Sequence, residues 1–309
     1  MKTLKIIFRT MVMAGILTAF SFNAFSQDQD EQKNEEHHHN GMKVEKKGDD
    51  SVVIYINKHD FDHFPMGNCN FGHKRNKYNG HWAGIELGWN GYVNSDFNMD
   101  FPASQQYLNM NVARSLMVNV NPFELNLNIV KNHFGFTSGL GFQFNNYYFT
   151  QNYMLSEDSS NLMAYKVYDD KGNPVDLKTN KMTVSWLNIP ILFEYQTNPR
   201  LRVNSFHFTV GVIGGVRIGS YQKQEFDTWN TFYYLRDENS KTVGSFYADK
   251  KYIRDKGAYY LNSFKLDATA RIGWSFLNFF ATYSLTPMFQ ENHAPTLYPW
   301  SVGITLLGW

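Results

Sequence analysis

Cys69 has no second cysteine to pair with, so no disulfide within the chain can staple its fold. Long apolar runs are equally scarce. Beyond residue 26 no window approaches the roughly 18 consecutive apolar residues of a membrane helix, so any further contact with a bilayer must be made by strands. Positive charge exceeds negative by only one, which removes the electrostatic basis for a nucleic-acid partner. Cysteines paired two apart, a common mark of structural zinc, are missing. So is the Gly-x-Ser-x-Gly elbow of a serine hydrolase.

What is present begins with an export signal. Lys2, Lys5 and Arg9 precede an apolar run from Met11 to Phe25, and Ala24-Phe25-Ser26 places small residues at the third and first positions before Gln27. This reads as a secretory signal peptide over 1–26, cut after Ser26. No cysteine follows the cut directly, so a bacterial lipoprotein anchor is not expected. Removal leaves 26 Lys and Arg against 28 Asp and Glu, a net charge of −2.

Residues 27–50 carry eight acidic residues, four lysines and the triplet His37 to His39. Such a segment has too little apolar surface to offset its ordering entropy. One short apolar run, Ser51 to Ile56, interrupts it before another polar stretch broken by Pro65, Gly67 and Gly72. We expect 27–80 to be a periplasmic extension, partly disordered.

From His81 onward the pattern has a period of two, the signature of strands with two unlike faces. The clearest stretch is Phe134 to Thr150. Phe134, Phe136, Ser138, Leu140, Phe142 and Phe144 share one face; Gly135, Thr137, Gly139, Gly141, Gln143 and Asn145 share the other. It exceeds the roughly 9 to 11 residues of a tilted membrane strand and ends in the aromatics Tyr147, Tyr148 and Phe149. Seven more segments have this texture, within 81–92, 115–130, 187–195, 206–219, 264–274, 277–286 and 300–306. In the second, the apolar parity changes at Asn121-Pro122-Phe123, which predicts a β-bulge, and Pro190 suggests another. The intervening gaps alternate long and short, as outer-membrane barrels require, with long loops outside and short turns in the periplasm. Aromatic residues make up 17% of the chain, which suits two interfacial belts. A lipocalin-like soluble barrel shares the alternation, but it needs apolar residues inside. The expected fold is therefore all-β: an eight-stranded antiparallel up-and-down transmembrane β-barrel over 81–309.

Several strings carry a resemblance. Gly80-His81-Trp82-Ala83-Gly84-Ile85-Glu86-Leu87-Gly88, Thr137-Ser138-Gly139-Leu140-Gly141, Asn188-Ile189-Pro190, the segment Phe206 to Gly219, Arg271-Ile272-Gly273 and the Tyr298-Pro299 to Gly303 finish resemble the outer-membrane β-barrel domain family widespread in Bacteroidota. The resemblance covers about 80–309. It implies a barrel in the outer membrane and no shared catalytic motif.

Inward positions gather Glu86, Glu124, Glu194, His207, Arg217, Lys265, Asp267 and Arg271. Eight strands leave a bore that side chains fill, so these charges must pair. A structural plug is the expected reading, with a proton or ion path as the functional one. His59-Asp60-Phe61-Asp62-His63 with Cys69 and His73 offers ligand types near zinc spacing but lacks a tight metal signature, and no metal or cofactor is expected. Some eight-stranded barrels modify lipid A with a His and a Ser, yet the His-x-Ser pairing occurs nowhere, so no enzyme is expected.

Residues 222–262 hold seven basic and six acidic residues with ten aromatics, a composition suited to a binding surface or to strands that extend into a cap. Asp169-Asp170-Lys171-Gly172-Asn173-Pro174 reads as a hairpin tip. The expected role is envelope structure or surface interaction through the outer loops, by a monomer in contact with outer-membrane lipid and a protein or glycan partner. A transport or secretion accessory and an outer-leaflet lipid-modifying enzyme are the alternatives.

Overall fold

The computed structural model describes residues 42–46, 52–56, 78–157, 160–198, 205–237, 239–275 and 277–308. The signal peptide, the disorder expected of the extension, and the ligand-type residues His37 to His39, His59, Asp60, Asp62, His63, Cys69 and His73 fall outside the described residues. The chain divides into two units, 1–64 and 65–309. In the first, β1 (Met42–Lys46) and β2 (Val52–Ile56) pair antiparallel, with Val44 in register with Ile54.

The second unit is built from strands almost throughout. In chain order they are β3 (Gly84–Val93), β4 (Leu116–Val130), β5 (Phe134–Tyr148), β6 (Tyr153–Glu157), β7 (Leu162–Tyr168), β8 (Thr179–Gln196), β9 (Phe206–Glu225), β10 (Thr231–Arg236), β11 (Thr242–Ala248), β12 (Tyr252–Lys256), β13 (Phe264–Trp274), β14 (Leu277–Ser284) and β15 (Tyr298–Gly308). Antiparallel pairing runs β9-β13-β14-β15-β3-β4-β5-β8, and β8 pairs back with β9. Among the described residues, eight strands thus close a ring. A closed ring has no free edge within the wall, so every ladder finds a partner.

The faces follow the alternation, and their polarity is the reverse of a soluble barrel. On the outside, Leu125 and Leu127 are 70% and 63% exposed, and Ile189, Ile191, Phe193, Phe206, Phe208 and Val210 form an open apolar belt. On the inside, Glu86, Thr137, Gln143, Glu194, Thr209, Asp267 and Arg271 are buried. Water would penalise such an exterior and hydrocarbon would not. This disposes of the lipocalin-like alternative.

Of the two irregularities expected at prolines, one is present and one is absent. The β4–β5 register shifts between Val120 and Phe123, where Pro122 has no N–H to donate. Pro190, by contrast, sits in unbroken register opposite Ile213, with no bulge; the wall tolerates its missing donor while Ser138 Oγ donates to its carbonyl at 2.8 Å. The bulge in this pair lies at Ser185/Trp186 instead. Beyond it Gly219 is in register with outward Ser185 and so lies on the outer face.

Short connections lie at one end, where β4 joins β5, β8 joins β9 and β13 joins β14. At Lys131 and Asn132 the backbone enters the left-handed region, with φ of 43° and 64°, and the His133 amide bonds to the Val130 carbonyl at 2.8 Å. Long connections gather at the other end and are not simple loops. They carry β6, β7, β10 and β11, a four-stranded sheet in the order β11-β10-β7-β6, while β12 extends the wall beside β9. The strands β8 and β9 rise well past the apolar belt to meet them.

Candidate functional site

The barrel bore begins not with a strand but with a segment that turns into it. Alternation predicts β3 from His81, yet the strand starts at Gly84, and 78–83 lies inside the wall. Two carboxylates hold its backbone. Glu124 Oε2 accepts from the amides of Trp82 and Ala83, both at 2.7 Å, and Glu194 Oε2 accepts from the His81 amide at 3.1 Å. These charge-assisted bonds satisfy donors that would otherwise be buried unpaired.

Side chains complete the plug. The His81 ring stacks on His207 with centroids 3.7 Å apart, and its Nδ1 is 2.6 Å from Glu194 Oε1. Gln196 Nε2 and Thr209 Oγ1 donate to the same carboxylate at 2.6 and 3.0 Å. The Trp82 indole packs against Leu192 and Ile213. The Tyr78 ring covers Gly135, and a Cβ at Gly139 would come within 2.9 Å of Trp82. The inward glycines of β5 therefore make room for two aromatic rings of the plug.

The predicted charges resolve into separate groups. Arg271 forms an ion pair with fully buried Glu86, which also accepts from Asn119 Nδ2 at 2.8 Å; the guanidinium lies 4.7 Å from the Trp82 ring centre. Lys265 pairs with Asp267, donates to Gln143 Oε1 at 2.5 Å and lies over Trp186. Glu194 joins His81 and stands beside His207; Glu124 holds the plug backbone and accepts from Asn126 at 2.5 Å. Arg217 belongs to none of these. It is half-buried near the bulge and donates to the carbonyls of Leu261 and Asn262 and to Ser220 Oγ. A cavity of about 30 Å³ beside Lys265, Asp267, Gln143 and Asn145 is the free space there, enough for a water or two.

Above the polar bore the mouth at the long-connection end is closed by apolar packing. Leu108, Leu261 and Leu297 are fully buried among Tyr92, Tyr147, Trp186 and Phe289. Each such leucine contributes about 1.5–3 kcal/mol. Tyr92 Oη donates to the Leu108 carbonyl at 2.5 Å and ties this layer to the wall.

The four-stranded sheet has its own core of Val167, Phe226, Tyr233 and Ala248. Tyr233 donates to the Thr228 carbonyl at 2.6 Å and Tyr259 to that of Asp255 at 2.8 Å, and burial pushes both phenols above their usual range. Its outer face leaves Phe232 and Tyr247 exposed, rings 5.0 Å apart, with Trp229 nearby in sequence and Arg236 stacked 4.3 Å over Tyr168. A groove of about 380 Å³ opens between β11 and β12, lined by Met154, Leu235, Phe246, Ile253, Arg254 and Asp255. The expected hairpin tip is present: the Asp169 carboxylate accepts from the Lys171 and Asn173 amides at 3.0 and 2.7 Å, and Gly172 takes a φ of 82°.

Among the described residues no group of three or more His, Cys, Asp or Glu comes together around a metal position. Sequence reasoning missed the 78–83 segment of the plug and the cap strands β6 and β7, though not the cap strands within 222–262. The pairing of bulky Tyr78 and Trp82 with a strand of inward glycines was the available signal for the first. A family model described as outer membrane protein beta-barrel domain matches residues 70–290. Neither the curated proteins nor the solved structures give a match.

Proposed function

The chain belongs to the outer membrane protein β-barrel domain family, and from that premise we propose that it is a plugged, non-enzymatic barrel whose work is done by its cap at the cell surface. The observation that supports this is the division of labour along its axis. Within the wall, carboxylates, cations and peptide amides are bonded to one another, and the cavity beside Lys265 and Asp267 is about 30 Å³. A bore so occupied offers no continuous water path. At the long-connection end, Trp229, Phe232 and Tyr247 are exposed on a framed sheet, which is the kind of surface that binds a protein or glycan.

In this reading the short turns and both ends of the barrel chain face the periplasm, the cap faces outward, and the protein acts as a monomer. Two measurements test it. In a Cys69→Ser background, Lys171→Cys should react with a membrane-impermeant maleimide on intact cells; reaction only after lysis would invert the orientation. In planar bilayers the protein should give no stable large current, and a sustained single-channel conductance would contradict a filled bore. Deleting 229–249, which removes β10 and β11 but no wall strand, separates surface interaction from an export accessory role. Loss of partner binding by an assembled barrel supports the first; loss of export supports the second.

A further inference from the structure

The outer wall between belt and cap carries a row of cations. Strand register places Tyr148 of β5 opposite Lys181 of β8, Lys181 opposite Lys223 of β9, and Lys223 opposite Arg254 of β12. Directly opposed like charges on neighbouring strands repel, so such a row lowers the stability of the sheet that bears it. Each cation is nonetheless held in place by an aromatic face. Lys181 and Arg114 lie on Tyr148 at 5.2 and 4.8 Å, Lys223 on Tyr252 at 4.5 Å, and Arg254 on Tyr221 at 5.6 Å. Lys181 also donates to Asn146 Oδ1 at 2.9 Å. Beside the row, Glu225 accepts from Lys251 and Thr179.

We propose that this row binds the anionic headgroup of a phosphorylated glycolipid in the outer leaflet. The inference rests on the outward orientation of the cap given above. Its height selects the ligand. The apolar belt ends at the level where Phe144 is registered with Ser185, and Lys181 lies four residues further along β8. Four residues span about 13 Å along a strand and about 10 Å of height at a tilt of roughly 40°. A phospholipid headgroup layer is about 5–8 Å thick, so the row stands above it. A lipid whose phosphates are carried on sugars reaches that height while its acyl chains lie on Phe144, Leu187 and Ile218. Arg254 and Arg114 present forked donors suited to phosphate oxygens, and the two lysines act as point charges between them.

The test uses the full mature protein in nanodiscs or detergent, where orientation in the cell has no influence. The probes are a deep-rough lipopolysaccharide with bis-phosphorylated lipid A, the same lipid after chemical dephosphorylation, phosphatidylglycerol, and inorganic phosphate. Wild type should bind the phosphorylated glycolipid, and the triple variant Lys181→Gln, Lys223→Gln, Arg254→Gln should bind it about 10-fold more weakly or worse, because each surface cation adds to anionic-lipid affinity. Lys223→Gln alone should lose several-fold, which keeps the test open if the triple variant does not assemble. Lys166→Gln with Lys171→Gln, cations of the cap, should leave binding unchanged. Equal binding by wild type and the row variants, or equal competition by phosphatidylglycerol or inorganic phosphate, would overturn the proposal. Failure here with Lys171→Cys still labelled on intact cells would leave the cap reading standing.

Discussion

Replacing Glu124 with alanine removes the acceptor that holds the plug to β4. Two backbone amides, Trp82 and Ala83, donate to one oxygen at 2.7 Å each. Hydrogen bonds to a charged acceptor contribute about 1.5–3 kcal/mol apiece, and the lower end applies because Glu124 is only half-buried, so the expected loss is about 3 kcal/mol. Glu124→Gln is the informative companion. Its amide oxygen can accept both bonds, but as a neutral acceptor of roughly half the strength. Its NH₂ would then face Asn126 Nδ2, a donor to the present carboxylate. Asn126 cannot turn around without cost, because its Oδ1 accepts from Thr137 Oγ1 at 2.8 Å. The glutamine variant should therefore lose about 2 kcal/mol, short of the alanine variant but not neutral. Urea unfolding from liposomes gives the energies, and hydrogen exchange at the Trp82 and Ala83 amides reports the plug itself. A loss below about 1 kcal/mol for alanine, with amide protection unchanged, would refute the reasoning.

Three further outcomes follow from the same geometry. Arg271→Ala should cost about 3–5 kcal/mol by stranding Glu86, whereas Arg271→Met with Glu86→Leu should recover most of it in the same urea titration; a double variant as unstable as the single would show that the pair is not the relevant unit. Gly139→Val should abolish the folded, heat-modifiable band on gels, because its Cβ meets Trp82 and the Phe123 carbonyl, while Gly219→Ala, with open space around it, should stay within about 0.5 kcal/mol of wild type. Bonds from the Asn173 backbone and side chain hold the Asp169 carboxyl below its usual range. That contribution to the hairpin tip is present above the ordinary carboxylate pKa and is lost as pH falls through the lowered value, so the Asn173 amide resonance should titrate below pH ~3.9; titration at the ordinary value would refute the assignment.

The wall was legible because its physics is local. The stretch Phe134 to Thr150 stood out by alternation, and the strand fills it to Tyr148, since a strand with lipid on one side and a polar bore on the other must change character at every residue. Pro122 announced its bulge for an equally local reason. The upper parts of β8 and β9 were not legible, because beyond the belt both faces meet protein or water and alternation loses its contrast. The plug was hidden differently. Ala83 continues the parity of Ile85, Leu87 and Trp89, so the turn into the bore leaves no mark in the pattern, and its cause lies about 40 and 110 residues away in Glu124 and Glu194. The pairings of the inward charges depend on register across the bore, which no local pattern carries. Arg217, in register with inward Trp186, stands apart from the other charges because it lies at the mouth, against the Leu261 and Asn262 carbonyls.

The contacts that fill the bore also make it a braced tube. Glu86 of β3 reaches Arg271 of β13, Lys265 of β13 reaches Gln143 of β5, and the segment before β3 ties Glu124 of β4 to Glu194 of β8. In a ring of eight, these struts join strands two or three places apart, close to opposite walls. A hollow barrel flattens easily when the surrounding bilayer thins or is sheared, since only ladder bonds oppose ovalisation. This one must stretch ion pairs before its cross-section can change, so a load on the cap would be passed to the membrane as tilt of the whole body.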